Sequence, residues 1–547
     1  QADAVGSNVE DSVLPREVDM SALHDFAVVV IGSGAGGLSA AAYLAHADRR
    51  VLVVEARDRV GGHITAFRHG DYEYDVGLHW TSEPMIQDVL RPLGVQVTFR
   101  EYDPDGMYRL HGPGREFAVP RGMEVFRSRL HGTFPTETGT VDTYLATVRT
   151  LVDEMQLLQE RPDLKDLPTL PWKMRGLVRY ATATAGGYLD SLHASPALKT
   201  ALLWANGAMA VAPGRWSLPM AAVALDGLLE GLSYPQGGSP VISDALADVV
   251  RRNGGEIRTG TEVSRILVEE GRVRGVEVRN ASFDEDPAPP SQVLAPAVVS
   301  AVDVKQTYLG LLAPTDVPSR LLHRVRGYEL ALPLAVVYLA IDRDLAREGF
   351  PNSLFQVTGT HDVDAVYTAL QRGAFPDGNP VIVWIANLAD PDNPRLAPPG
   401  QTNLQLMSLA SPSHAWWGVT PGGGPSVRYR ARVREVRERM VRSAEHVVPG
   451  LAASIVHEET ATPITSERLM RVTGGTSYGP AFTPRQTLTR LGPTSPVHGL
   501  FHAGASVRPS DGVAPSLLSG VLAASAVTGM PVAELQAGPA AEPVPAS

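Results

Sequence analysis

At 547 residues, with a formal charge of −11 and no cysteine, the chain is long enough for two or three interwoven domains around a large core. Its acidic balance argues against a nucleic-acid partner and against purely electrostatic adhesion to anionic lipid. Without cysteine there are no disulfides, thiol relays, iron–sulfur clusters or cysteine-linked cofactors, and cysteine usage leaves the compartment undetermined.

Residues 1–24 are polar and acidic and lack the roughly 7 to 15 apolar residues of a signal-peptide core. They read as a loosely held arm, and Gln1 in place of methionine predicts a trimmed or processed start. The next stretch organises the chain. Ala27-Val-Val-Val-Ile31 predicts a strand buried on both faces, Gly32-Ser33-Gly34-Ala35-Gly36-Gly37 a sharp turn into a helix over residues 38–47, and Val51-Leu-Val-Val54 a second strand closed by Glu55. In such a βαβ unit Gly32 makes the turn, Gly34 lets the main chain approach a pyrophosphate, and Gly37 lets helix and strand pack closely. The free amides of the helix point at a phosphate, and Glu55 sits where a ribose hydroxyl needs an acceptor. The continuation Glu55-Ala56-Arg57-Asp58-Arg59-Val60-Gly61-Gly62 adds a second glycine pair where a main chain would lie along the same pyrophosphate. Nicotinamide domains do not need that pair.

These residues resemble the FAD-dependent superfamily that holds amine oxidases, phytoene-desaturase-type enzymes, carotenoid isomerases and retinol saturases. There a Glu-Ala-x-x-x-x-Gly-Gly run follows the first βαβ unit. The position after the glycine pair is often arginine in that superfamily, and here it is His63. The resemblance implies an α/β fold: an FAD-binding Rossmann-like domain of the glutathione-reductase type with an inserted α+β substrate domain. It assigns residues 25–82, 233–302 and 465–536 to the cofactor domain and residues 83–232 and 303–464 to the substrate domain.

Further along, Tyr72-Glu-Tyr-Asp75-Val-Gly77-Leu78-His79-Trp80 alternates with period two and ends in glycine, imidazole and indole. In the superfamily an Asp-x-Gly segment returns to the flavin domain, and Gly77-Leu78-His79-Trp80 resembles the Gly-x-His-aromatic version of the saturase and isomerase branch. On that likeness His79 could donate a proton or a hydrogen bond beside the flavin, titrating near neutrality. A histidine that only satisfies a core hydrogen bond is the competing reading.

Residues 83–232 read as mostly helical, with an amphipathic stripe of Leu145, Val148, Leu151, Val152, Met155 and Leu158. Pro171-Trp172-Lys173-Met174-Arg175, running into Leu177, Val178 and Tyr180, mixes residues as interfacial membrane anchors do. A partly exposed helix packed on its own domain is the preferred reading.

Ser233-Tyr-Pro-Gln-Gly237-Gly238 opens a predicted helix over 240–252 and a strand from 254, followed by a hairpin over 261–266 and 273–278. In the relatives the backbone at the Val263 position meets the adenine, and a three-stranded piece leads to a run like residues 297–301. Residues 282–291 read as an acidic, proline-rich surface loop. Strands are predicted at 330–341, 381–386 and 402–409. Arginines over 428–442 are interspersed with Glu435, Glu438 and Glu445, as on a solvated helix face.

At the far end, residues 497–504 predict a strand closed by Gly504, and Ala505-Ser-Val-Arg508-Pro-Ser510-Asp511-Gly512 turns into a helix from Val513 to about Val527. The resemblance places these helix amides, with Gly504, Ala505, Gly512 and Val513, at the flavin's pyrimidine ring. The family motif here is glycine-rich. Ser510 and Asp511 depart from it, and an acid beside a reduced flavin is costly, so Asp511 is expected to point away. Residues 537–547 read as a disordered tail.

The resemblance implies a noncovalent FAD carrying hydride to or from a carbon of a long lipophile such as a carotenoid or other isoprenoid, along an apolar tunnel. With one dinucleotide fingerprint, electrons must pass to or from a diffusible quinone, oxygen or reduced carrier. Two alternatives stand beside it. One is an amine oxidase, with Tyr478 as part of an aromatic cage, and the other is a prenyl or lipid carrier of the same fold without flavin. No metal-ligand set stands out. The longest apolar run, 331–341, falls short of the ~18 residues of a membrane span, which predicts a cytoplasmic protein with at most peripheral membrane contact.

Overall fold

The structure, a computed structural model, describes residues 25–159, 173–204, 209–281, 289–420, 426–509 and 511–537. The expected arm (1–24), Pro171 and Trp172, residues 282–288 of the acidic loop, Ser510 and the tail beyond 537 lie outside the described residues, as does the Leu158 side chain.

Five strands, Val28–Ile31, Val51–Val54, Glu256–Arg258, Ala297–Ser300 and Leu500–His502, form one parallel sheet. Val28–Ile31 lies at its centre, between Ala297–Ser300 and Val51–Val54, and Leu500–His502 closes one edge. Side chains alternate across a strand, so the two faces divide cleanly. Val28, Val30, Val51 and Val53 pack with Leu38, Tyr43, Ile242, Leu246 and Val521 from the helices Ala35–His46, Pro240–Arg252 and Val513–Thr528. Val29, Ile31, Leu52 and Val54 pack on the other side against Val263, Ile266 and Val276, from the antiparallel sheet Thr261–Glu269, Arg272–Asn280 and Ser291–Leu294. Strands covered on both faces must be apolar throughout, which is why the run 27–31 carries no polar residue.

The first helix begins at Ala35 rather than at residue 38, which brings Gly36 and Gly37 into its first turn. There the fold needs the missing side chains. A Cβ on Gly37 would stand 2.0 Å from the Gly32 carbonyl oxygen, and one on Gly520 would stand 2.4 Å from that of Gly36. The helices Ala35–His46 and Val513–Thr528 cross at this glycine contact.

A seven-stranded sheet forms the second body, in the order Ile455–Ala461, Leu334–Ile341, Thr402–Leu409, Val381–Ile385, Leu354–Val357, Tyr108–Gly112, Arg115–Val119. Two of its strands come from the stretch read as helical. Tyr108–Gly112 pairs in parallel with Leu354–Val357, a partner so distant in sequence that nothing local announces it. Phe99–Glu101 is also a strand, paired with Ser233–Pro235. The rest of that stretch is helical and joins the same large core through Val141, Tyr144, Leu145, Val148 and Leu151. Within it the short helix Arg175–Tyr180 is held to its own domain, because buried Glu154 accepts from the amides of Gly176 (2.9 Å) and Leu177 (2.6 Å). Arginines of the helix Val427–Ala444 pair with Glu435, Glu458 and Asp377. Among the described residues no helix is long and apolar enough to cross a membrane.

Candidate functional site

The two glycine runs of the N-terminal unit meet. Gly34 and Gly61 form a parallel bridge, the Gly61 amide donates to the Ser33 carbonyl (2.9 Å), and a Cβ on Gly62 would stand 2.9 Å from Gly34 Cα. Gly34 differs from its neighbours. A Cβ there would meet no atom within 4 Å, although the glycines around it are packed against backbone. Gly34 is also the residue before the helix Ala35–His46, whose N-terminus has no side-chain cap and no acidic residue in its first turn. Open space facing uncapped amides suits an anionic group held by main chain. Glu55 borders it, buried, with Oε2 accepting from the Ser33 amide (2.9 Å) and hydroxyl (2.6 Å) and Oε1 from the Arg57 amide (2.9 Å). Ala56 is half-buried beside it. The Glu55 carbonyl accepts from the Thr261 amide (2.9 Å), so Val263 and its strand run directly alongside.

From the cradle the chain leads to the predicted imidazoles. His63 follows Gly62 and packs on Gly77, where a Cβ would stand 3.0 Å from His63 Cβ. Burial, with a contribution from Arg57, lowers the His63 imidazole to about 4. His79 is 7% exposed and sits edge-on to Trp384, centroids 4.8 Å apart. Its Nε2 lies 2.8 Å from Gln405 Oε1, and Gln405 Nε2 donates to the Asp75 carbonyl (3.2 Å). That second bond orients the amide so that His79 must donate from Nε2. Burial lowers its imidazole to about 4, opposed by the Gln405 bond. The expectation of an imidazole titrating near neutrality is therefore corrected. His79 is a neutral ring with its proton committed to Gln405, and among the described residues no charged partner holds it protonated against desolvation. Trp80 is half-buried against the large core.

Asp75, in the Asp-x-Gly segment, is the anchor that returns the chain to the cofactor sheet. It accepts from the Ser239 amide (3.2 Å) and hydroxyl (2.5 Å) and from the Tyr234 hydroxyl. Burial nonetheless raises it to about 7.

The C-terminal motif closes the site. A Cβ on Gly36 would lie 2.4 Å from the Gly504 amide nitrogen, so the two ends of the chain touch there. Gly504 donates to Ser519 Oγ (2.7 Å). Buried Arg490 clasps this turn, donating to the carbonyls of Pro480 (2.7 Å), Val507 (3.2 Å) and Ala505, with its guanidinium 4.0 Å above the Phe482 ring. Gly479 packs on Ser506, 3.0 Å from its Oγ to a built Cβ, which places Tyr478 beside the motif. Gly512 precedes the helix Val513–Thr528, whose N-terminus also has no side-chain cap.

Asp511, expected to turn from the cofactor, is 4% exposed, and neither carboxylate oxygen has a hydrogen-bond partner among the described residues. Burial raises it to about 7 against the opposing charge of Arg490, and its charge in turn reaches Tyr478. An acid that burial brings to about 7 carries a proton much of the time near neutral pH, which weakens the objection on which that expectation rested.

The raised Asp511 has a consequence for stability. Its folded value lies above the unfolded one, so its contribution is fully present below about pH 4 and is lost as pH rises through about 7. Asp511→Asn should therefore gain stability over the parent at pH 8, by an amount on the order of 4 kcal/mol at most. The gain should vanish toward pH 4. Urea midpoints at the two pH values measure it, and equal differences at both would show an ionisation indifferent to folding.

The structure thus brings Gly34, Gly61, Gly62, Glu55, Gly36 and Gly504 together, with His63 and Tyr478 at the borders, while His79 is tied to the seven-stranded sheet through Gln405. Ser33, Gln405 and Arg490 escaped the sequence reading. Ser33 lies inside the glycine run and could have been read as the partner of Glu55. Gln405 and Arg490 carry no local signal.

A family model described as flavin containing amine oxidoreductase matches residues 35–528. The all-trans-retinol 13,14-reductase of Rattus norvegicus is 25% identical over 502 residues, covering 88% of this chain and 79% of that one. A chloroplastic prolycopene isomerase of Arabidopsis thaliana is 25% identical over 525 residues, covering 91% and 82%. Among solved structures, cyclohexylamine oxidase from Brevibacterium oxydans superposes with a TM-score of 0.60 at 16% identity, covering 94% of this chain and 99% of that one.

Proposed function

Because this chain belongs to the family of flavin-containing amine oxidoreductases and is an FAD-dependent oxidoreductase, we propose that it saturates, desaturates or isomerises carbon–carbon double bonds of a long lipophilic polyene, a carotenoid or another isoprenoid. The observation that carries this reading is the match along more than four fifths of the chain to enzymes named for all-trans-retinol and prolycopene.

In this reading residues 25–82, 233–302 and 465–536 hold the cofactor and residues 83–232 and 303–464 hold the substrate. Gly32, Gly34, Gly36, Gly37, Gly61 and Gly62 bring main chain to the pyrophosphate, Glu55 and Ala56 face the ribose, and Val263 lies at the adenine. His63 replaces a cationic arginine by a neutral ring. Gly504, Ala505, Gly512 and Val513 present amides to the ring system, and Arg490 fixes their turn. Bound FAD supplies two-electron transfer at a substrate carbon. Asp511 holds a proton at its carboxyl in a water-poor setting, where a group poised near neutral pH is suited to give it up or take it back. Tyr478 lies within reach of that charge, Trp80 lines the substrate side, and His79 orients the strand end that carries it. A diffusible quinone, oxygen or reduced carrier exchanges the electrons.

The test is anaerobic incubation of FAD-loaded protein, with chemically reduced or oxidised flavin, against all-trans-retinol and linear carotenoids in detergent micelles, products being separated by chromatography. A dihydro, dehydro or isomerised product is expected. Buried Tyr108 and Tyr367 lie near Tyr478, and such a gathering of aromatic rings favours amine oxidation as the second reading. Peroxide released with a panel of amines, and no polyene product, would establish that reading instead.

A further inference from the structure

We propose that His69, His457 and Glu459 form a binding site for a divalent cation of the zinc class. One ligand atom from each residue lies within 4.8 Å of those of the other two. His69 Nδ1 already stands 2.7 Å from Glu459 Oε1, and the two imidazole centroids are 4.7 Å apart.

The backbone sets up this meeting. His457 and Glu459 are two residues apart on the strand Ile455–Ala461 and therefore share a face. His69 closes over them from the hairpin formed by Ala66–His69 and Tyr72–Asp75. Tyr72 stacks on His457 with centroids 5.1 Å apart and planes 24° from parallel, which fixes the plane of that ring.

An ion pair between His69 and Glu459 would explain two of the three residues. It leaves His457 unexplained, because its Nε2 is buried without a hydrogen-bond partner, as is the hydroxyl of Tyr74 whose ring stacks on it. Buried polar atoms are normally satisfied, and two orphans beside one carboxylate point to a group that the protein atoms do not supply. Two imidazoles and a carboxylate suit zinc and its first-row neighbours, whereas magnesium and calcium take oxygen. Bond lengths of roughly 2.0 to 2.2 Å to such an ion require the more distant ligand atoms to draw together by about an ångström and the close His69–Glu459 pair to open, which exposed His69 can do by rotation. Water would take the fourth position.

The ion would pin the hairpin to the edge strand of the seven-stranded sheet. That hairpin ends at Asp75, the anchor of Tyr234 and Ser239, so the site would brace the junction between the two sheets from outside and blunt an open edge.

The full-length, FAD-loaded protein, stripped with chelator and dialysed, is titrated with Co2+ and then Zn2+. One equivalent of Co2+ should bind with the intense visible bands of a four-coordinate ion, Zn2+ should displace it, and Zn2+ should raise the melting temperature. His69→Ala removes only an exposed side chain and should fold, yet weaken binding by about 10²-fold or more, above what loss of a supporting residue costs. His457→Ala should abolish the bands with the flavin absorbance unchanged. Substoichiometric Co2+ binding, or the same affinity in His69→Ala as in the parent, overturns the proposal, and neither result depends on His457→Ala being stable.

Discussion

Gly34→Val should give a folded protein that contains no flavin. The backbone at this position (φ −66°, ψ 177°) is extended and open to any residue, and the first added carbon meets no protein atom within 4 Å. The fold therefore has no reason to reject the side chain. The space it enters is the one left facing the uncapped amides of the first helix, where the pyrophosphate must lie for those amides to reach it. A neighbouring substitution separates the effects. Gly37→Val drives its side chain into the Gly32 carbonyl, 2.0 Å from the built Cβ, and should lose flavin because the helix cannot seat. The two variants are told apart by circular dichroism and urea melts alongside the visible spectrum. Gly34→Val should be native-like and colourless, Gly37→Val unfolded or aggregated. A yellow, fully loaded Gly34→Val protein would move the phosphate site elsewhere.

Asp511→Asn should slow turnover of the proposed polyene substrate by about 10²-fold or more, the usual scale of general acid–base help, while leaving the flavin spectrum in place. The amide keeps the shape of the carboxyl and, since neither oxygen accepts a hydrogen bond from a described residue, forfeits no bond among the described residues. It cannot exchange a proton. The parent should show a pH limb near 7, where Asp511 changes charge, and the variant should lack it. His79→Gln is the comparison, since its ring is neutral and its Nε2 proton is engaged by Gln405. Its turnover should change less than about tenfold. Equal losses in the two variants would return the proton to His79 and reduce Asp511 to a buried charge.

What could be read in advance follows the range over which each feature is determined. The opening βαβ unit is written locally, in apolar runs that alternate between two covered faces and in glycines whose absent side chains the packing demands. Thr402–Leu409, where Leu404 and Leu406 alternate with Asn403 and Gln405, was likewise visible and has the bounds its pattern predicts. Tyr108–Gly112 was not, since its parallel partner lies far along the chain and its own residues, Tyr-Arg-Leu-His-Gly, carry a weak pattern. The site divides in the same way. Its phosphate side is two glycine runs and could be read, whereas the placing of Asp511 near the charge of Arg490 and near Tyr478, the tie from His79 to Gln405, and the gathering of His69 with His457 and Glu459 arise only when distant segments are laid side by side. The charge state of His79 was not legible in the segment 72–80, because its burial comes from Trp384 and Gln405 on distant strands.

The meeting of Gly36 with Gly504 and Gly520 makes this protein late to finish. On a ribosome adding about 5 to 20 residues per second, the strand Val28–Ile31 emerges roughly half a minute to a minute and a half before Leu500–His502, which completes its sheet. From its own emergence until Leu500–His502 follows, about 10 to 40 s later, Ala297–Ser300 is an unpaired, apolar sheet edge, while the first helix has no partner for its glycine face and the cradle lacks one wall. Such an edge is the kind that other nascent chains can pair with, so the same long-range closure that builds a tight cofactor site leaves the newborn chain dependent on protection until Leu500–His502 is released.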